Sequence, residues 1–200
     1  MRLFVAADIP ADLRARLAEC QKRLRDLPLP MRWSRPEGIH LTLFFLGETP
    51  EARVTEIAAA IERVAAAAAP FDLEAHGVET FPARGRPRVV VFGLRGDLDA
   101  AARVKQRLDA ALETIGFRAE ERPFRPHLTL GRAKDGKAGD WRPFLERETG
   151  AAAGRFTVRA LVLYESLPGP GGSQYRALRQ FPFAAPEESA AGPGSPERIR

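Results

Sequence analysis

Three histidines occur in the 200-residue chain, and two of them open the same tetrapeptide, His40-Leu41-Thr42-Leu43 and His127-Leu128-Thr129-Leu130. Both copies read as strand. Residues i and i+2 of a strand share a face, so each motif offers an imidazole and a hydroxyl side by side, backed by two leucines on the other face. Taken singly, such a motif is ordinary strand composition with a structural histidine. Its repetition points instead to paired chemistry. With an ordinary pKa of about 6.5, one ring can be neutral while the other is protonated, which is what a general base and a general acid require. Paired histidines also serve metals, but neither motif carries a second His, and no Asp, Glu or Cys stands at i+2 or i+4. No metal and no cofactor is expected. Thr42 and Thr129 suit hydrogen bonding to an anion better than nucleophilic attack. The third histidine, His76, lies in a Glu-Ala-His-Gly stretch without a partner motif and reads as surface.

The motifs stand 87 positions apart, close to half the chain, as a duplicated unit would place them. The elements around them read as follows. Arg2 to Ala7 forms a short buried strand, and Leu13, Leu17, Cys20 and Leu24 recur at helical spacing. A second helix starts at Thr49-Pro50-Glu51, with Thr49 as N-cap, and carries Val54, Ile57, Ile61 and Val64 on one face. A third runs from Leu98 to Ile115 and stops at Gly116. Strand-like runs cover 40–46, 71–75, 88–94, 127–131, 156–164 and 175–181. Three helices among about seven strands, several joined without a helix, indicate an α+β fold, and no Gly-rich nucleotide loop follows any strand. One domain is expected over 1–183. The remainder, 184–200, is rich in Pro, Gly, Ser and Glu and is expected to be a disordered tail.

Lys plus Arg number 31 against 26 Asp plus Glu, a formal charge of +5, and only Lys22, Lys105, Lys134 and Lys137 are lysines. The planar guanidinium suits phosphate, so a nucleotide or nucleic-acid partner fits, although codon composition alone also enriches Arg, Ala and Pro. One cysteine, Cys20, rules out a disulfide framework and suits a reducing cytoplasm. The apolar run Leu3 to Ala7 ends at Asp8, too short for a secretory or membrane-spanning segment. A soluble monomer without membrane contact is expected.

The chain resembles the LigT/ThpR-like RNA 2′,3′-cyclic phosphodiesterases of the two-histidine (2H) phosphoesterase superfamily. The resemblance lies in the opening Arg-Leu-Phe-Val-Ala-Ala-Asp-Ile-Pro (2–10), in Arg32-Trp33 and Pro36-Glu37 ahead of His-Leu-Thr-Leu-Phe-Phe-Leu-Gly-Glu (40–48), in Phe-Arg-Pro-His-Leu-Thr-Leu-Gly-Arg (124–132), and in the closing stretch Leu163 to Phe183 with Ser166, Gly172 and Tyr175. It implies a bilobal, duplicated fold in which two antiparallel sheets with outer helices bring both motifs into a central cleft. By the same resemblance, His40 and His127 are the catalytic acid and base, and Thr42, Thr129 and Arg132 bind the phosphate. Strict alternation sets Arg132 opposite His127, and a bulge at Gly131 would return it. Position 44, a lysine in many relatives, is Phe44 here. It alternates onto the His40 face as a ring for base stacking or for the core, and Trp33 has the same two uses. The implied activity is hydrolysis of a 2′,3′-cyclic phosphate at an RNA or nucleotide end to a 2′-phosphomonoester, with reversible 2′–5′ RNA ligation as a second activity. A module that binds RNA ends without turnover is the alternative.

Overall fold

The computed structural model describes residues 1–25, 31–82, 87–134, 148, 150–169 and 172–184, so the tail expectation falls, from residue 185 on, outside the described residues. Among them are nine strands and three α-helices: β1 (Arg2–Asp8), α1 (Ala11–Arg25), β2 (Met31–Trp33), β3 (His40–Glu48), α2 (Val54–Ala66), β4 (Phe71–Phe81), β5 (Val89–Gly96), α3 (Leu98–Glu113), β6 (His127–Ala133), β7 (Ala152–Val158), β8 (Ala160–Gly169) and β9 (Gly172–Pro182). The strand-like run 156–164 divides at Arg159 into β7, at one edge of the sheet, and β8, next to the strand at the other edge.

All pairings are antiparallel, in the order β7-β4-β5-β6-β3-β1-β8-β9, with β2 on β6. The α+β class is therefore observed, but one continuous sheet stands where two were expected. The reason is local. β3 and β6 are bridged at a single Cα pair, Leu41 opposite Leu128, after which β2 takes over the β6 edge at Gly131 to Ala133.

One apolar cluster joins the sheet to the helices. Leu41, Leu43, Leu128 and Leu130 from the motifs belong to it together with Leu13 and Leu17 of α1, Ile57 and Ile61 of α2, and Leu108 and Leu112 of α3. The helix limits follow from their caps. Asp97 accepts from the Ala100 N–H at 3.0 Å to open α3, and Gly116, at φ 86°, closes it while the Phe117 N–H reaches the Leu112 carbonyl at 3.1 Å. Thr49 does not cap α2. Its hydroxyl donates to the Gly47 carbonyl, and a 3-10 turn over Glu51–Arg53 precedes the helix at Val54.

Candidate active site

Both motif strands carry a bulge at the same place. Along β1–β3, Ala6 faces Thr42 and Val5 faces Phe44, leaving Leu43 as the extra residue. Along β5–β6, Val91 faces Thr129 and Val90 faces Gly131, leaving Leu130 as the extra one. Burial then repeats from each histidine onward: half-buried, buried, half-buried, buried, buried, exposed. Beyond a bulge the alternation reverses. The fifth residue after each histidine, Phe45 or Arg132, therefore returns to the histidine and threonine face. Arg132 reaches the cavity described below with His127 and Thr129.

Of the two uses expected of Phe44, packing into the core is the one its burial matches, although its ring also borders the cavity described below. Phe44 is 3% exposed, and the Lys105 ammonium lies 5.5 Å from its ring centroid, whereas Phe45 is 53% exposed. Alternation without the bulge exchanged the two rings. On β6 the bulge is held from below: the Leu130 carbonyl accepts from the Ser34 N–H at 2.9 Å and from Gln21 Nε2 at 2.8 Å. A side chain at Gly131 would begin 3.0 Å from both Met31 Cε and the Trp33 ring. Trp33 thus packs over Gly131 as a half-buried partner of the core.

Because Leu41 and Leu128 pair antiparallel, the register sets His40 alongside Thr129 and Thr42 alongside His127. In the register, each motif's histidine stands next to the other motif's threonine. A cavity of about 900 Å³ opens here, lined by Thr42, His127, Thr129, Arg132, Phe45 and Phe81 among others. Its charge is one-sided: Arg88, Lys105, Arg118, Arg122, Arg125 and Arg132 line it against a single acid, Glu120. Lys105 pairs with Asp109. None of the five arginines forms an ion pair with a carboxylate among the described residues. Such a cavity attracts anions. Among the described residues, no three His, Cys, Asp or Glu side chains gather as metal donors.

The two imidazoles have different surroundings. Phe4 stacks on His40 at 4.9 Å, Tyr175 meets it edge-on at 5.1 Å, and Tyr164 lies at 6.0 Å. Among the described residues, His127 has one ring neighbour, Phe81, edge-on at 5.0 Å. Burial disfavours the charged imidazolium of both. It lowers His40 to about 4, despite the Gly38 carbonyl and Asp8, which favour the cation. It also lowers His127, with Arg132 adding to the effect and the Arg125 carbonyl opposing it. His127 Nδ1 sits 2.7 Å from that Arg125 oxygen. Donation there leaves Nε2 free to accept a proton. In both motifs the stabilising carbonyl belongs to the residue two before the histidine.

The model of one protein family, described as the 2′-5′ RNA ligase superfamily, matches residues 9–170. The chain belongs to this superfamily. Among curated superfamily relatives, proteins named RNA 2′,3′-cyclic phosphodiesterase from Archaeoglobus fulgidus and Thermus thermophilus are each 32% identical, over 90% and 97% of this chain and 99% and 97% of their own lengths. A third of that name, from Geobacillus stearothermophilus, is also 32% identical, and the chain spans only about half of it (54%). A solved structure from Thermus thermophilus superposes with a TM-score of 0.78 at 30% identity, covering 92% of this chain and 98% of that one. E. coli LigT in its apo form gives 0.70 at 25%, over 91% and 96%.

Within this superfamily member, the structure brings His40, Thr42, His127, Thr129 and Arg132 to the middle of the sheet; Thr42, His127, Thr129 and Arg132 line the cavity, His40 sits behind it among its aromatic neighbours, and His76 lies on β4 opposite Ala152, away from the lining. Phe45 escaped the sequence reading, although its spacing from His40 equals that of Arg132 from His127. Phe4, Phe81 and Tyr164 were given no role either, and Tyr175 was marked only as part of the closing stretch, because no local pattern marks rings that meet a histidine only across strands.

Proposed function

We propose that the protein is a metal-independent RNA 2′,3′-cyclic phosphodiesterase that opens the cyclic ester to a 2′-phosphomonoester. The observation that carries the reading is the meeting of two imidazole–hydroxyl pairs from adjacent strands beside a cavity lined by six cations. His127 Nε2 takes a proton from water, and the water oxygen bonds to phosphorus in line with the departing 3′-oxygen. The P–O3′ bond breaks, and protonated His40 delivers its proton to O3′. Thr42, Thr129 and Arg132 meet the charge that grows on the non-bridging oxygens. The names of the curated relatives support the same substrate. A site that stabilises this transition state serves the reverse direction too, so 2′–5′ ligation belongs to the same proposal. Phe45 supplies an open ring at the cavity wall for a base.

We further read the two halves of the sheet as copies of one unit. The orders β3-β1-β8-β9 and β6-β5-β4-β7 mirror each other outward from the centre, and α1 links β1 to β3 through the same kind of excursion by which α3 links β5 to β6. A monomer suffices for the chemistry. The buried free thiol of Cys20 suits a reducing cytoplasm.

The test is to incubate the protein with a 2′,3′-cyclic nucleotide in EDTA and follow the phosphorus resonances. The 2′-monoester is the expected product. A 3′-monoester refutes the geometry, dependence on an added divalent metal refutes the two-histidine chemistry, and tight binding without turnover leaves the RNA-end-binding module.

A further inference from the structure

We propose that Asp8, tethered by the Tyr164 hydroxyl, is the positioning residue for His40: a fixed anion across the strand pair that orients the ring and supports its protonated form. The inference rests on the acid–base reading above and adds a residue that the motifs do not contain.

Asp8 ends β1 directly opposite His40 in the β1–β3 register. Directly opposed residues of an antiparallel pair have Cβ atoms roughly 4.5–5.5 Å apart. Phe4, four residues earlier on the same face of β1, stacks on the His40 ring, so β1 supplies both the apolar contact and the charge. Tyr164 of β8 donates its hydroxyl to Asp8 Oδ1 at 2.5 Å while its ring stacks with Phe4 at 5.2 Å. Burial and then the Asp8 bond push the Tyr164 hydroxyl above its ordinary range, so it stays protonated and keeps donating. The carboxylate is thus held by a partner that is itself held by a ring stack.

The other groups that face His40 make an anion necessary. Phe4, Tyr164 and Tyr175 surround the ring with apolar surface, while Arg14 from α1 and His127 from β6 both oppose a positive charge on it. Among the described residues, the Gly38 carbonyl and Asp8 are the groups that favour the cation. Of these two, only Asp8 carries a full charge. An acid that must give a proton to a leaving oxygen cannot work if the ring never holds one.

The test is Asp8→Asn, which keeps an oxygen for Tyr164 but removes the charge, beside Asp8→Glu, which keeps it. Asp8 is exposed, so neither substitution opens the core. Solvent weakens the pair, and the expected shift is roughly half a unit to one unit, below the 1–3 of a shielded pair. In Asp8→Asn, one limb of the pH–rate profile for a 2′,3′-cyclic nucleotide moves to lower pH by that amount while the other stays, and Asp8→Glu restores it. The limb that moves is the one that reports His40; its place in the profile follows the order of the two pKa values and not the acid or base role, so Asp8's role is the same in either case. Two unmoved limbs, or a uniform loss of rate at every pH, overturn the proposal. The His40 ring resonances, titrated by NMR in phosphate buffer, give a second readout without turnover. If the wild-type protein is inactive, the phosphodiesterase reading fails, and the NMR shift alone decides whether Asp8 acts on His40.

Discussion

The exchange of Phe44 and Phe45 at the β3 bulge makes two neighbouring substitutions behave oppositely. Phe44 is 3% exposed and belongs to the core, so Phe44→Ala removes a fully packed ring and leaves a cavity. That costs about 3–5 kcal/mol. Phe45 is 53% exposed, so Phe45→Ala forgoes about half of a full burial and opens no enclosed void. It costs about 1 kcal/mol in stability. On substrate the order reverses. If the Phe45 ring stacks on a base, its loss weakens binding by about 1–3 kcal/mol, roughly 5–150-fold in KM. The assays are urea unfolding of each variant and KM for a 2′,3′-cyclic nucleotide at a temperature where both are folded. A Phe45→Ala protein that loses several kcal/mol while keeping its KM refutes the bulge argument. So does a Phe44→Ala protein of wild-type stability.

His40→Ala and His127→Ala should each reduce turnover by roughly 10²–10⁴-fold with little change in melting temperature, and the double variant should lose much less than the product of the two. His76→Ala should keep wild-type rates, and an essential His76 would refute the site. Both imidazoles lie below their ordinary pKa in the free protein, so a bell-shaped kcat/KM profile, which reports free-enzyme groups, should peak on the acid side of about pH 6.5. Bound phosphate favours both cations, so the kcat optimum should lie higher. A kcat/KM maximum above neutrality contradicts that account. Burial pushes the Cys20 thiol up to about 11, so iodoacetamide at about pH 8 should leave the folded protein unlabelled and label it in urea, as mass spectrometry can read.

The two histidine motifs, the α+β class and the main helices were legible because each rests on a local period. Leu13, Leu17 and Leu24 announce α1 by their spacing, and all three are buried. What escaped depends on register. Nothing within the 40–48 segment says that Leu43 is skipped by its partner strand, because the skip is decided by how β1 lies against it. The aromatic wall of His40 joins Phe4 of β1 to Tyr164 and Tyr175 of the consecutive strands β8 and β9, 160 or more positions later, and no window of sequence contains it. The 156–164 run read as one strand because both of its halves are apolar, and the division at Arg159 shows only when each half finds a different neighbour.

The strand order has a consequence for biosynthesis. The half of the sheet that carries His127 is drawn from one uninterrupted stretch, β4 through β7, residues 71–158. The half that carries His40 joins β1 and β3 to β8 and β9, so its earliest strands must wait for strands made more than 100 residues later. On a ribosome the His127 half can therefore close first, as an island inside an unfinished frame. Tyr164 and Tyr175, which complete the surroundings of His40, emerge last. A nascent chain carries a basic surface before the surroundings of the second motif histidine are complete, and on the mechanism proposed above hydrolysis begins only when the two ends of the frame have met.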